Sequence, residues 1–153
     1  MTPAGVLVVG YGNPLRGDDG IGWHAAGLLA ADPRLAGARV LARHQLVPEL
    51  AEEVSRAALV VLVDASAEGD PGSISVHRIE PRTGTWATWT HHLDPEALAG
   101  LAEALYGAVP PIVLVSVTAG SFAAGDRLSG ALERALPEVV EAVADVVAGQ
   151  HRA

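Results

Sequence analysis

The chain has 153 residues, half of them hydrophobic, enough for one domain with a sizeable core. Eighteen acidic residues against ten basic ones give a formal charge of −8, which argues against nucleic acid or an anionic membrane as partner, because both require a basic footprint. Cysteine is absent, so a disulfide framework, a thiolate nucleophile and a cysteine metal site are all excluded.

In chain order, the run from Val6 to Val9, closed by Gly10, predicts a short buried strand, and Ile21 to Ala31 an Ala/Leu-rich helix stopped at Asp32-Pro33. A second strand is expected from Ala38 to Ala42. A second helix follows from Pro48 to Arg56, with Pro48 suited to its first turn. The stretch Leu59 to Val63 is apolar throughout, which predicts a central strand, ended by Asp64. After the turn signal Asp70-Pro71-Gly72, Ser73 to His77 alternates polar and apolar residues. This predicts a half-exposed edge strand, too near its predecessor for a helical crossover and therefore antiparallel. Residues 80 to 94 read as an irregular loop. Pro95 to Tyr106 reads as a helix, Ile112 to Val117 as a buried strand, and Leu128 to Val147 as containing a last helix that Pro137 kinks or begins. The expected fold is α/β: one domain over residues 1–153, with a twisted, mostly parallel five-stranded sheet, helices on both faces and one antiparallel edge strand. No window approaches the roughly 18 uninterrupted apolar residues of a membrane span, and no basic-then-apolar leader opens the chain. A soluble cytoplasmic protein is the expectation.

The most informative segment is the loop from Gly10 to Gly20, which stands between a strand and a helix as a nucleotide-binding turn would. Gly10 and Gly12 fit a dinucleotide fingerprint, but Leu15 takes its third glycine position, and no Gly-Lys-Ser/Thr follows. Asp18 and Asp19 then bring negative charge to the helix end that would have to accept an anion. The loop is built to meet a cation or a proton. Either aspartate is also suited to capping the helix, and Asn13 to bracing the turn through its own backbone.

In an open α/β sheet, ligands sit at the carboxyl ends of the strands, so adjacent first and third strands would bring Asp18, Asp19 and Asp64 to one rim. The segment Thr90-His91-His92-Leu93, ahead of a helix, could fold over that rim and add an imidazole. Such a set suits a borderline divalent ion or acid/base work on water. His24, His44, His77 and His151 read as structural or exposed. Trp86 and Trp89, close to the histidine pair, suit either a protein-contact surface or the core.

These residues resemble the hydrogenase maturation proteases, endopeptidases that trim the C-terminal extension of nickel-iron hydrogenase large subunits. The resemblance spans nearly the whole chain and is carried by Gly10-x-Gly12-Asn13-x-Leu15-x-x-Asp18-Asp19-Gly20-x-Gly22. His44-Gln45-Leu46-Val47-Pro48-Glu49-Leu50, Val63-Asp64-Ala65-Ser66 and His91-His92-Leu93 support it. It implies nickel-interacting side chains at Asp19, Asp64 and His91, the last chosen over His92 because the family pattern is His, any residue, Leu. It also implies that Asp19 and Asp64 serve catalysis, that the partner is a hydrogenase large-subunit precursor, and that nickel arrives with that substrate, other divalent ions binding the isolated protein. Water activation by a carboxylate base or by the metal as Lewis acid both remain open. A non-cleaving, nickel-sensing chaperone of the precursor is the competing reading. A nucleotide-binding module is a third, opposed by the paired carboxylates.

Overall fold

The computed structural model describes residues 5–82 and 93–152, with side chains through residue 149. Five strands, β1 (Val6–Tyr11), β2 (Arg39–Arg43), β3 (Leu59–Ser66), β4 (Ile74–Arg78) and β5 (Ile112–Thr118), form one sheet in the order β2-β1-β3-β5-β4. All pairings are parallel except β4 with β5. Four helices, α1 (Ile21–Ala30), α2 (Leu50–Arg56), α3 (Pro95–Tyr106) and α4 (Gly130–Arg152), cover the sheet, and a 3-10 turn (Gly17–Gly20) leads into α1. Among the described residues, no helix is long and apolar enough to cross a membrane.

The two-residue period of the strands divides their apolar side chains between two cores. Val6, Val8, Val61, Val63, Val115 and Val117 pack on one face against Ile21, Ala25 and Leu29 of α1 and Leu132, Val139 and Val143 of α4. Leu7, Val9, Val60, Leu62, Ile112 and Leu114 pack on the other against α2 and α3. Because β3 and its neighbours are covered twice, they read as unbroken apolar runs, while β4 alternates in sequence but, lying at the edge, is exposed at every position except half-buried Ile74, more open than the half-exposed strand expected.

The expected strands, helices and antiparallel edge are all present, with differences at the boundaries. β3 does not stop before Asp64: Asp64, Ala65 and Ser66 pair with Ser116, Val117 and Thr118 of β5, so the aspartate lies within a strand. Pro137 neither begins α4 nor ends it but stands inside it. α3 occupies the expected residues, with Asp94 as cap accepting the Ala97 N–H at 2.8 Å, Pro95 in its first turn and Gly107 in the left-handed conformation that terminates it.

Candidate functional site

In this strand order the chain leaves β1 toward β2 and returns on the other side at β3, so the carboxyl ends of β1 and β3 flank the switch point of the sheet. The loop after β1 is pressed tightly onto the start of α1. A methyl group at Gly10 would collide with the Gly22 carbonyl, and one at Gly22 with the Tyr11 nitrogen and the Val63 carbonyl, so neither position accommodates a side chain. Gly12, at φ +139°, lies where a side chain would meet the Asp19 carbonyl. Asn13 braces the turn as expected, its Oδ1 accepting the Leu15 N–H at 2.9 Å. Trp23, to which sequence reasoning gave no role, donates its Nε1–H to the carbonyls of Gly12 (2.9 Å) and Arg43 (3.1 Å), tying the loop to the end of β2. Its ring meets His44 edge-on at 5.3 Å between centroids.

The two adjacent aspartates have separate fates. Asp18 is 0% exposed and caps neither the 3-10 turn nor α1. Its carboxylate instead accepts the N–H groups of Gly120 (2.6 Å), Ser121 (2.9 Å) and Ser129 (2.6 Å) and the Ser129 hydroxyl (2.7 Å), joining the loop to the segment between β5 and α4. Burial opposes its charge, but these bonds prevail and hold the carboxyl below the ordinary range. Main-chain bonds extend the seam: Asp18 N–H to Ser121 O, Gly17 N–H to Gly125 O, and Gly125 N–H to Leu15 O.

Asp19, half-buried, turns the other way. Its Oδ2 accepts the Asn13 N–H at 2.6 Å, which orients it beside the end of β3. There Asp64 accepts the Tyr11 hydroxyl at 2.8 Å through Oδ2, while its Oδ1 is buried with no hydrogen-bond partner among the described residues. Burial pushes the Asp64 carboxyl above its usual value. The Tyr11 bond and the Ser116 hydroxyl, close by without meeting hydrogen-bond geometry, oppose that rise; the Asp19 charge adds to it and His77 opposes it. The Tyr11 phenol is likewise raised, by burial first and then by the Asp64 charge, with smaller contributions from Glu96 and Asp94 at the start of α3.

Asp19 and Asp64 are therefore brought to one rim, and Asp18 is drawn away from it into a structural tie. His91, His92, Trp86 and Trp89 lie outside the described residues. Among the described residues no group of three metal-ligating side chains forms, so the rim contributes the two carboxylates. An orphaned, buried carboxylate oxygen beside a second carboxylate fits a cation, since either charge alone would repel the other. Tyr11, Ser116 and His77 escaped sequence reasoning. The first two reach Asp64 only through strand pairings, and His77 sits two strands away on the face Asp64 shares with its register partners.

No protein-family model and no curated protein sequence matches the chain. Solved structures do. A NiFe hydrogenase maturation protease, HycI, from Thermococcus kodakarensis KOD1 superposes with a TM-score of 0.69 at 24% identity, over 93% of this chain and 91% of that one. A hydrogenase 2 maturation peptidase from a Thaumarchaeota archaeon gives 0.71 at 23%, over 94% and 97%. An endopeptidase from Escherichia coli gives 0.68 at 25%, over 90% and 88%. The chain shares the fold of these proteins over nearly its full described length.

Proposed function

We propose that this protein is an endopeptidase that removes the C-terminal extension of a nickel-iron hydrogenase large-subunit precursor, reading the nickel the precursor carries with Asp19, Asp64 and His91. The observation that carries this reading is the pairing of Asp19 with the buried, unpartnered Asp64 Oδ1 at the switch point of a sheet whose fold is that of maturation endopeptidases. His91 enters through the sequence resemblance. Two carboxylate oxygens and an imidazole are donors suited to a borderline ion, and so few protein ligands leave coordination positions to groups of the substrate.

Hydrolysis of the peptide bond requires a water to attack the scissile carbonyl and give up a proton, while the leaving amine gains one. A carboxylate whose affinity for protons is raised by burial, as that of Asp64 is, suits the proton-accepting role. Leu15, 64% exposed at the tip of the loop that carries Asp19, offers an apolar contact for the precursor.

Incubation with a nickel-loaded precursor, followed by intact-mass measurement, tests the activity: loss of a C-terminal peptide is expected, and its absence rejects the proposal. Asp19→Asn should abolish the cleavage with the fold retained by circular dichroism. A nickel-dependent complex whose precursor stays uncut would instead identify a chaperone.

A further inference from the structure

Both carboxylates at the rim are held through one oxygen each, by donors two residues apart on the same short stretch: the Asn13 N–H on Asp19 Oδ2 and the Tyr11 hydroxyl on Asp64 Oδ2. The first donor is main chain, which any residue other than proline would supply at that position. The second belongs to the tyrosine side chain alone. Its ring is anchored among the apolar residues between the sheet and α2 and α3, and it follows Gly10, the register partner of Val63, so that Tyr11 stands beside Asp64 across the β1–β3 pair. Asp64 is thereby left with one oxygen engaged and one buried without a hydrogen-bond partner among the described residues.

That asymmetry bears on what a cation meets. A carboxylate with both oxygens open can chelate through both, as large oxygen-seeking ions such as Ca2+ favour, whereas an oxygen already accepting a phenol hydrogen bond is the poorer donor of the two. We infer that Tyr11 is a positioning and ion-selecting residue whose hydroxyl makes Asp64 a one-oxygen ligand, favouring Ni2+ over Ca2+. The inference rests on Asp64 being a ligand to the precursor's nickel. A hydrogen-bonded partner behind a ligand is a usual means of fixing its orientation, and here the partner lies on the neighbouring strand, where the sheet itself holds it.

Calorimetric titration of the purified full chain with Ni2+ alone and with Ca2+ alone tests it in the wild type, Tyr11→Phe and Asp64→Asn, with the Co2+ absorption spectrum as a readout of coordination number. Tyr11→Phe keeps the ring and its packing. Its Ni2+ affinity is expected to fall about 10- to 100-fold, the usual loss when a ligand's supporting partner is removed. Its Ca2+ affinity should hold or rise, and its Co2+ bands should weaken as coordination expands. An unchanged Ni2+ to Ca2+ ratio in Tyr11→Phe, with Ni2+ binding lost in Asp64→Asn, would overturn the role of Tyr11 and leave Asp64 a ligand. Wild-type Ni2+ affinity in Asp64→Asn, or no Ni2+ binding by the wild type, would overturn the ligand assignment as well. Should Tyr11→Phe fail to fold, a wild-type crystal containing Cd2+ decides: the ion on Oδ1 with the Tyr11–Oδ2 bond intact supports the inference, and chelation by both oxygens refutes it.

Discussion

Replacing Asp18 by alanine should destabilise the protein by untying the loop of Asp19 from the segment between β5 and α4. The carboxylate is fully buried and accepts three main-chain N–H groups and one hydroxyl. Removing it leaves those donors without their acceptor. The Ser129 hydroxyl can turn elsewhere, and water can reach the exposed Gly120 and Ser121, so a net loss of ~1 kcal/mol for each N–H gives about 3 kcal/mol in all. With a urea m-value of ~2 kcal/mol/M, the midpoint should move down by about 1.5 M. Asp18→Asn keeps an oxygen for Gly120 and Ser121 but sets an amide against the Ser129 N–H, and should cost about half as much. The acid limb gives an independent check. The folded-state affinity of Asp18 for protons is depressed, so its contribution is complete above the unfolded carboxylate range and is lost as pH falls through the folded value. The gap between wild type and Asp18→Asn should therefore be constant at neutral pH and close below about pH 4. A midpoint shift under about 0.3 M for Asp18→Ala, or a gap that persists into acid, would refute the tie.

Asp64 should show the opposite sign. Its carboxyl is raised in the folded state, so its charge penalises folding increasingly from about pH 4 upward, and Asp64→Asn in the presence of chelator should melt at or above wild type at pH 7. A lower melting temperature would contradict the electrostatic account of that residue. Gly10→Ala forces a methyl onto the Gly22 carbonyl with no flexible side chain to yield, and should cost about 3 kcal/mol in urea denaturation, the upper end for overpacking. Trp23→Phe keeps an aromatic ring beside His44 but removes the donor to Gly12 and Arg43, a loss of ~1 kcal/mol measurable in the same way.

What the sequence disclosed about this protein divides along the range of the interactions. The apolar run of β3, the alternation of β4 and the cap and stop of α3 are local patterns, and each element is where its pattern lies. The end of β3 was misplaced because Asp64 and Ser66 are polar, and only pairing with β5, some fifty residues on, keeps them in the sheet. Of the two readings of Pro137, as a kink or as a start, the start is excluded, because α4 carries it in its interior between buried Leu132 and Val139. At the rim, the convergence of Asp19 with Asp64 followed from topology. The family resemblance singled out Asp19 over Asp18, but the tie that Asp18 makes was not legible, since its partners lie more than a hundred residues away. Tyr11 was invisible for the same reason, its acceptor standing 53 positions along the chain.

The strand order has a consequence for the nascent protein. β4 is made before β5 and, among the described residues, pairs only with it, so β4 has no native neighbour, and the seat beside β3 no native occupant, until β5 has been made. A bare strand at that stage is a template for wrong partners, and the polar Ser75, His77 and Arg78 that mark the mature edge guard the unfinished chain as well. Asp64 gains its β5 wall only when that strand takes its seat, and residues 120–129 then fasten the side of the Asp19 loop that Trp23 does not already tie to β2. The half-made chain therefore carries both aspartates before the far wall of their rim is built.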